Sequence, residues 1–327
     1  MENRIFVSEE PYRLRIAYTE EQIGGAPVIS TEELKNSAGA YSGVKYLFTT
    51  WGAPVLSEEE IGELLPSLEA VFYAAGTVKY FALPYLKRGV HVFSAWAANG
   101  VPVAEFAAAQ ILLANKGYFQ SVIRYKRDGF DEVVPYGYNF PGNFDTKVGV
   151  IGLGKIGRMV LERLRTSRLE ILAWDKFLSE EEIAAMGARK ASLEEIFSEC
   201  QTISNHLANV PQTVGMLDYP LFARMKSFAT FINTGRSAQL DMEGLKRAMR
   251  EEPGRTALLD VTDPTEPLER DDELFTFPNI LISPHIAGSI QSEVRRMGEY
   301  MTGEYRSFAA GEKCLYEVTE SMLDTMA

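Results

Sequence analysis

The sequence predicts an α/β protein of two domains, one of them a parallel sheet covered by helices on both faces. Three observations carry this expectation. Short, uncharged apolar runs alternate with helical patterns from residue 146 onward, as strands buried on both faces require. A chain of 327 residues, at roughly 150 residues per domain, gives about two domains. A glycine-rich turn joins the first strand and first helix of this regular region in mid-chain, so that region is an insertion between two parts of a second unit.

In chain order, the runs at 45–49, 68–73 and 90–93 are bounded by Gly, Pro or polar residues and read as strands. Ser57 opens a Ser-x-x-Glu capping box with Glu60, which predicts a helix over 57–65. Pro102 is placed to open a long helix reaching about Lys116, with Val103, Phe106, Ala107, Ile111 and Leu112 at helical spacing. Segment 129–143, rich in Gly, Pro, Tyr and Asn, reads as a loop or arm. A buried strand follows at 147–151, then a helix with Ile156, Val160, Leu161 and Leu164 on its apolar face, then a strand at 169–174. Ser192 and Glu195 form a second box, for a helix over 192–200. Further strands are expected at 202–206, 228–232, 256–261 and 280–282, with helices near 219–225 and 240–249. Residues 289–308 read as one amphipathic helix returning to the N-terminal unit. No repeat of fixed period breaks this order.

Composition narrows the function. Apolar residues make up 46% and charged residues 24%, which excludes a disordered chain. The formal net charge of -12 repels a phosphate polyanion, so no nucleic-acid partner is expected; only a local pocket would take a small anion. Two cysteines, Cys200 and Cys314, make no framework and no C-x-x-C pair. A reducing, cytoplasmic home is therefore expected. Acidic residues interrupt the N-terminus before a leader's apolar core can form. The apolar run at 106–114, broken by Gln110, is far below the ~20 residues of a membrane span, so no membrane partner is expected.

The strongest local motif is Gly152-Leu153-Gly154-Lys155-Ile156-Gly157. It follows an expected strand and opens an expected helix, the context a dinucleotide-binding turn needs. Gly152 allows the tight turn, Gly154 lets a pyrophosphate approach the backbone, and Gly157 permits close helix–strand packing. The helix N-terminus offers free N–H groups to the anion. Asp175 ends the next strand, 18 residues after Gly157. A carboxylate there accepts from a ribose diol and repels a 2'-phosphate, which favours NAD over NADP. Lys176, beside it, works against that preference.

Hydride transfer at a carbonyl also needs a cation to hold the substrate and a group to move the proton. The chain has three histidines. His91 begins a strand and reads as structural. His206 ends a strand in the cofactor half, where it would line the pocket without doing chemistry. His285 lies just after the last strand, where ligands bind in parallel sheets. No histidines share a metal-ligand spacing, so no metal is expected.

Five blocks then occur in one order: Val101-Pro102-Val103-Ala104-Glu105, the Gly152 turn, Ile232-Asn233-Thr234-Gly235-Arg236, Leu259-Asp260-Val261 through Glu266-Pro267-Leu268, and Ser283-Pro284-His285. Together, over about 46–288, the chain resembles the D-isomer-specific 2-hydroxyacid dehydrogenases, the family of phosphoglycerate, glycerate/hydroxypyruvate and D-lactate dehydrogenases. The resemblance implies a Rossmann-type doubly wound sheet at 101–288 inserted into a smaller flavodoxin-like α/β substrate domain formed by 1–100 and 289–327. It implies that Arg236 holds the substrate carboxylate and polarises its carbonyl, a bidentate task suited to a guanidinium. His285 would be the general acid/base, and Glu266 the carboxylate that orients it and favours imidazolium. Asp260 would contact the nicotinamide carboxamide, although it also suits a turn cap. Val103, Lys155, Ile156, His206, Leu207, Thr234, Gly235 and Gly288 would line the cofactor site. Gly76, Thr77 and Val78 would offer N–H groups to the substrate. The implied activity is hydride transfer between NAD(H) and a small D-2-hydroxy acid or 2-oxo acid of the glyoxylate, hydroxypyruvate or phosphoglycerate type. The implied assembly is a homodimer, with 129–143 as its arm.

The sequence departs from the family in places. The interval from Asp260 to Glu266 is six residues, one longer than is usual, through Thr262-Asp263-Pro264-Thr265; Ser237 replaces the glycine after the arginine; Ala208 stands where proline is common. The run from Ala75 to Tyr80 is unusual, so the substrate end is expected to be specialised, with Trp51 and Trp96 as candidates to narrow it. A Tyr-x-x-x-Lys pair at Tyr41 and Lys45 precedes the glycine turn by over 100 residues and is read as chance. The alternative from another class is a non-catalytic NAD(H)-binding regulator, against which the full Arg236, Glu266 and His285 set argues.

Overall fold

The computed structural model describes residues 3–262 and 266–323. The chain forms two compact units, Met1–Gly100 with Ser289–Ala327, and Val101–Gly288. In chain order the strands are β1 (Arg4–Val7), β2 (Val28–Ile29), β3 (Tyr46–Thr49), β4 (Ala70–Tyr73) and β5 (His91–Ser94) in the first unit. The second unit supplies β6 (Phe144–Ile151), β7 (Arg168–Trp174), β8 (Arg189–Lys190), β9 (Thr202–Asn205), β10 (Thr230–Asn233), β11 (Thr256–Leu259) and β12 (Ile280–Ile282). β13 (Glu317–Val318) belongs to the first unit again.

The second unit is a seven-stranded sheet in the order β12-β11-β10-β9-β6-β7-β8. Every pairing is parallel. Alternate residues feed two cores, one on each face. Ile151, Phe231 and Leu259 join Phe197 and Phe222 on one side, and Val150, Ile232 and Leu258 join Val160 and Leu161 on the other. This is why its strands carry apolar residues without alternation. Chain direction across the sheet reverses between β6 and β9, the switch point where such sheets bind ligands beyond their C-terminal ends.

The first unit's sheet runs β13-β5-β4-β3-β1-β2, parallel except for β13, which pairs antiparallel with β5. Four phenylalanines face each other in register across its central strands. Phe6 pairs with Phe48, Phe48 with Phe72 and Phe72 with Phe93, and their rings stack at 4.7, 5.0 and 5.0 Å. Such cross-strand pairs fix register on a buried face. Tyr305 and Phe308, on the helix Val294–Ala309, cover this ladder edge-on.

Several expected elements differ. The long helix is Trp96–Ala114, and Pro102 lies inside it rather than at its start. By length and composition this helix could cross a membrane, although 56% of the relevant window is buried in the protein. Its Ala104, Ala107 and Ile111 pack into the second unit's core. Segment 129–143 is partly helical: Gly129, at φ 84°, separates the helices Tyr118–Asp128 and Phe130–Gly137. Edge-on packing of Tyr136, and of Phe140 just beyond the helix, against Phe228 holds that second helix down despite its Pro135. The Ser57–Glu60 box is complete. The Ser192 box is half formed, because the Glu195 side chain pairs with Arg189 instead. The C-terminal helix starts at Val294, after a short turn of 3-10 helix at Gln291–Glu293.

Candidate active site

All of the expected second-unit residues except Val103, on the helix Trp96–Ala114, sit on or beyond the C-terminal ends of strands in one parallel sheet. Gly152 follows β6, Asp175 follows β7, His206 and Leu207 follow β9, Thr234 to Arg236 follow β10, Asp260 follows β11 and His285 follows β12.

At the switch point the glycine turn meets the loop after β9. Gly152 has φ 86°, and a Cβ there would lie 2.8 Å from the His206 carbonyl. A Cβ on Gly157 would lie 2.0 Å from the Gly152 oxygen. These two glycines are demanded by the protein's own packing. Gly154 differs: its φ is -67° and a Cβ would meet nothing within 4 Å. The fold leaves that space open, as the approach of a pyrophosphate requires. No side chain caps the helix Lys155–Leu164. Among the described residues, the N–H groups of Gly154, Lys155, Ile156 and Gly157 have no protein partner. The Thr234 hydroxyl, in the loop after β10, is buried and likewise unpartnered among the described residues. Open N–H groups, open space and an unsatisfied hydroxyl fit a dinucleotide.

Asp175 has a structural part in the turn. One of its oxygens accepts from the Leu153 N–H at 2.9 Å and the other from Phe177 and Leu178. It thereby ties the glycine turn to the end of β7, and acceptor capacity remains on its oxygens. His206 is buried, with Nε2 2.9 Å from the Ser204 hydroxyl, and burial lowers its pKa to about 4. It is a neutral packing residue whose backbone abuts Gly152. Val103 is buried on the helix Trp96–Ala114, and Gly288 closes the second unit.

The structure brings His285 and Glu266 together. Nδ1 of His285 lies 3.0 Å from both Glu266 oxygens. His285 adopts a left-handed backbone, φ 54°, a conformation costly for a non-glycine residue and common where function over-determines it. Asp260 supplies that over-determination. It is 2% exposed. It accepts from Ser283 Oγ at 2.5 Å, Ile286 N–H at 3.0 Å and Ala287 N–H at 2.9 Å. These bonds bracket His285, so Asp260 clamps this turn. Residues 263–265, which carry the extra residue before Glu266, lie outside the described residues.

Arg236 is half-buried, and its Nη1 donates to the Gly235 carbonyl at 2.8 Å. The Ser237 hydroxyl donates to the Val261 carbonyl at 2.6 Å, fastening the arginine turn to the end of β11, a role a glycine could not fill. Asn205, Asn233 and Gln239, absent from the expected set, form a buried amide network beneath this turn. Asn233 lies in the block that ends at Arg236, but no local motif marks Asn205 or Gln239, because their meeting depends on the sheet.

In the first unit, Ser94 Oγ donates to the carbonyls of Gly76 at 2.5 Å and Ala75 at 3.1 Å. This pins the turn through its oxygens. Among the described residues the N–H groups of Gly76, Thr77 and Val78 have no protein partner. Trp51 packs against the first unit's two cores, and Trp96 meets Tyr316 edge-on. His91 pairs with Glu317 at 2.6 Å across β5 and β13, and Lys45 pairs with Glu69 at 2.7 Å.

A doubly wound parallel sheet with an open glycine turn and a carboxylate–histidine pair at its C-terminal edge defines a nicotinamide-dependent oxidoreductase. The family model for the D-isomer specific 2-hydroxyacid dehydrogenase, NAD binding domain, matches residues 110–287. The chain belongs to this family, whose cofactor is NAD. Among curated relatives, it is 28% identical over 261 residues to a glyoxylate reductase of Korarchaeum cryptofilum, covering 78% of this chain and 77% of that protein. It is 30% identical over 230 residues to the D-3-phosphoglycerate dehydrogenase of Mycobacterium tuberculosis, covering 69% of this chain but only 42% of that protein. The fold matches D-2-hydroxyisocaproate dehydrogenase with a TM-score of 0.79 at 16% identity, over 97% of this chain and 99% of that one. It also matches an NAD-complexed D-isomer specific 2-hydroxyacid dehydrogenase of Lactobacillus delbrueckii, with a TM-score of 0.78 at 18% identity, over 96% and 100%.

Proposed function

We propose that this protein interconverts a small 2-oxo acid and its D-2-hydroxy acid, of the glyoxylate, hydroxypyruvate or phosphoglycerate type, through Arg236, Glu266 and His285. The His285–Glu266 pair carries the reading. Glu266 accepts from Nδ1, which leaves Nε2 to deliver a proton to the substrate oxygen in reduction and to take it back in oxidation. Arg236 binds the carboxylate and polarises the carbonyl. Gly76, Thr77 and Val78 are the first unit's substrate-binding residues, through their N–H groups. NADH, when bound, supplies the hydride. Gly154, Lys155, Ile156 and Gly157 would hold its pyrophosphate, Asp175 its ribose, and Leu207, Thr234, Gly235 and Gly288 the rest of its surface.

The relatives named glyoxylate reductase and D-3-phosphoglycerate dehydrogenase support this substrate class. The test is NADH oxidation with glyoxylate, hydroxypyruvate, pyruvate and longer 2-oxo acids, in the wild type and His285→Gln. The variant is expected to lose about 10²–10⁴-fold in kcat, the scale of general acid–base catalysis, with NADH affinity retained. Tight NADH binding without turnover of any 2-oxo acid would establish the regulator reading instead.

The assembly we propose is a homodimer formed through the apolar face of the helices Tyr118–Asp128 and Phe130–Gly137. Tyr125 and Phe130, at 53% and 65% exposure, stand unprotected there. Sedimentation of the wild type against Phe130→Glu reads this directly. Both cysteines are free, which supports a cytoplasmic location.

A further inference from the structure

The structure assigns to Gln239, acting with Asn205 and Asn233, the positioning of Arg236 relative to the loop after β9; this rests on the proposed role of Arg236. All three amides are 0% exposed. Buried amides are costly unless their donors and acceptors are met, and here they are met by the backbone of two functional loops.

The pattern is reciprocal. Asn205 Oδ1 accepts from the Leu207 N–H at 3.2 Å, and Gln239 Nε2 donates to the Leu207 carbonyl at 2.7 Å. Gln239 Oε1 accepts from the Arg236 N–H at 3.4 Å, and Asn233 Nδ2 donates to the Arg236 carbonyl at 3.3 Å. Both backbone groups of each residue are thus held by side chains of the same triad. Asn205 Nδ2 closes it by donating to Asn233 Oδ1 at 3.0 Å and Gln239 Oε1 at 2.6 Å. Asn233 Oδ1 also accepts from the Gly235 N–H at 3.1 Å.

The same triad explains the glycine before the arginine. A Cβ on Gly235 would lie 2.8 Å from Gln239 Oε1, 3.3 Å from Asn233 Oδ1 and 3.4 Å from Asn205 Nδ2. The chain can lie on the triad only where it has no side chain. Gly235 also supplies the carbonyl that receives Arg236 Nη1. The guanidinium is therefore aimed through a chain of contacts that begins at Gln239. A site held to fractions of an ångström needs such a supporting layer. Gln239 is a positioning residue, not a catalytic one.

Gln239→Met keeps the length and removes every amide bond. Relative to wild type, kcat/KM for the preferred 2-oxo acid should fall at least tenfold, with KM rising. NADH affinity by fluorescence titration should stay within threefold. Leu245→Ala, a buried core substitution in the same unit, controls for lost stability and should leave KM unchanged. Gln239→Glu is the second variant. Its protonated carboxyl can still donate to the Leu207 carbonyl, while its ionised form repels it. Its kcat/KM should approach wild type at low pH and fall as pH rises, an ionisation that the wild type lacks.

Amide exchange in the ligand-free protein separates this inference from the functional reading. Gln239→Met should speed exchange of peptides covering 205–208 and 233–240 at least tenfold and leave the Gly152 turn unchanged. That result with an inactive wild type would sink the dehydrogenase reading and keep the triad. Unchanged exchange, or a KM in Gln239→Met equal to wild type, would overturn the triad's role whatever the wild type turns over.

Discussion

Burial holds the His206 imidazole at a pKa of about 4, against 6.5 for a free imidazole. The folded protein keeps this ring neutral while the unfolded chain binds a proton between those two values. Stability therefore declines as pH drops through that window, by up to about 3 kcal/mol from this group. His206→Gln removes the contribution, and urea unfolding at about pH 7 and about pH 4.5 should show a smaller acid loss than in wild type. Glu266 is a residue of the opposite kind, partly exposed and paired with His285 across 3.0 Å. Glu266→Ala leaves the imidazole without its orienting acceptor, so kcat should fall at least ~10-fold while NADH affinity holds. A loss of affinity equal to the loss of kcat would place Glu266 in the cofactor surface instead.

At the level of elements, the strand–turn–helix from β6 to Lys155–Leu164 separates what folding needs from what binding needs. Gly157→Ala drives a methyl into the Gly152 oxygen and should abolish folded expression. Gly154→Ala meets no atom and no strained φ. It should leave the melting temperature within a degree or two while weakening NADH at least tenfold; equal loss of both would deny Gly154 its ligand. Legibility followed the same division. The strands at 147–151 and 280–282, the Ser57 box and the blocks around His285 announce themselves through local pattern. β2 is two residues long, too short for any periodicity to register. The helix Phe130–Gly137 is hidden by its Gly and Pro content and is held by edge-on tertiary packing against Phe228. Gln239 and Asn205 stand 34 residues apart in sequence, so their contact is visible only once β9 and β10 are laid side by side. Asp260 was legible as a residue but not as a clamp, because its three donors lie beyond β12.

For the whole molecule, the decisive fact is that the first unit is completed from both ends of the described chain. Its Phe6–Phe48–Phe72–Phe93 ladder is closed by Tyr305 and Phe308 from the C-terminal helix, and its β5 edge is closed by β13. Truncation after Gly288 removes both. Peptides over β1 to β5 should then exchange their amides rapidly, while those over β6 to β12 keep their protection, because the second unit is contiguous and has its own cores. Protection retained in β1 to β5 would show that the helix Val294–Ala309 is dispensable to the ladder.

That ladder sets an order of events at the ribosome. Its four phenylalanines are synthesised within the first 93 residues, yet the part of their cover supplied by Tyr305 and Phe308 arrives only after the 188 residues of Val101–Gly288 have been made. At roughly 5–20 residues per second the interval is about 10–40 s. During that time Tyr18 already packs edge-on against Phe6 and Phe48, but Phe72 and Phe93 lack Tyr305 and Phe308, while the inserted unit is free to fold. Chaperone crosslinking to stalled nascent chains should therefore be strongest for arrest points between the end of β5 and the start of the last helix, and should fade once Phe308 has emerged.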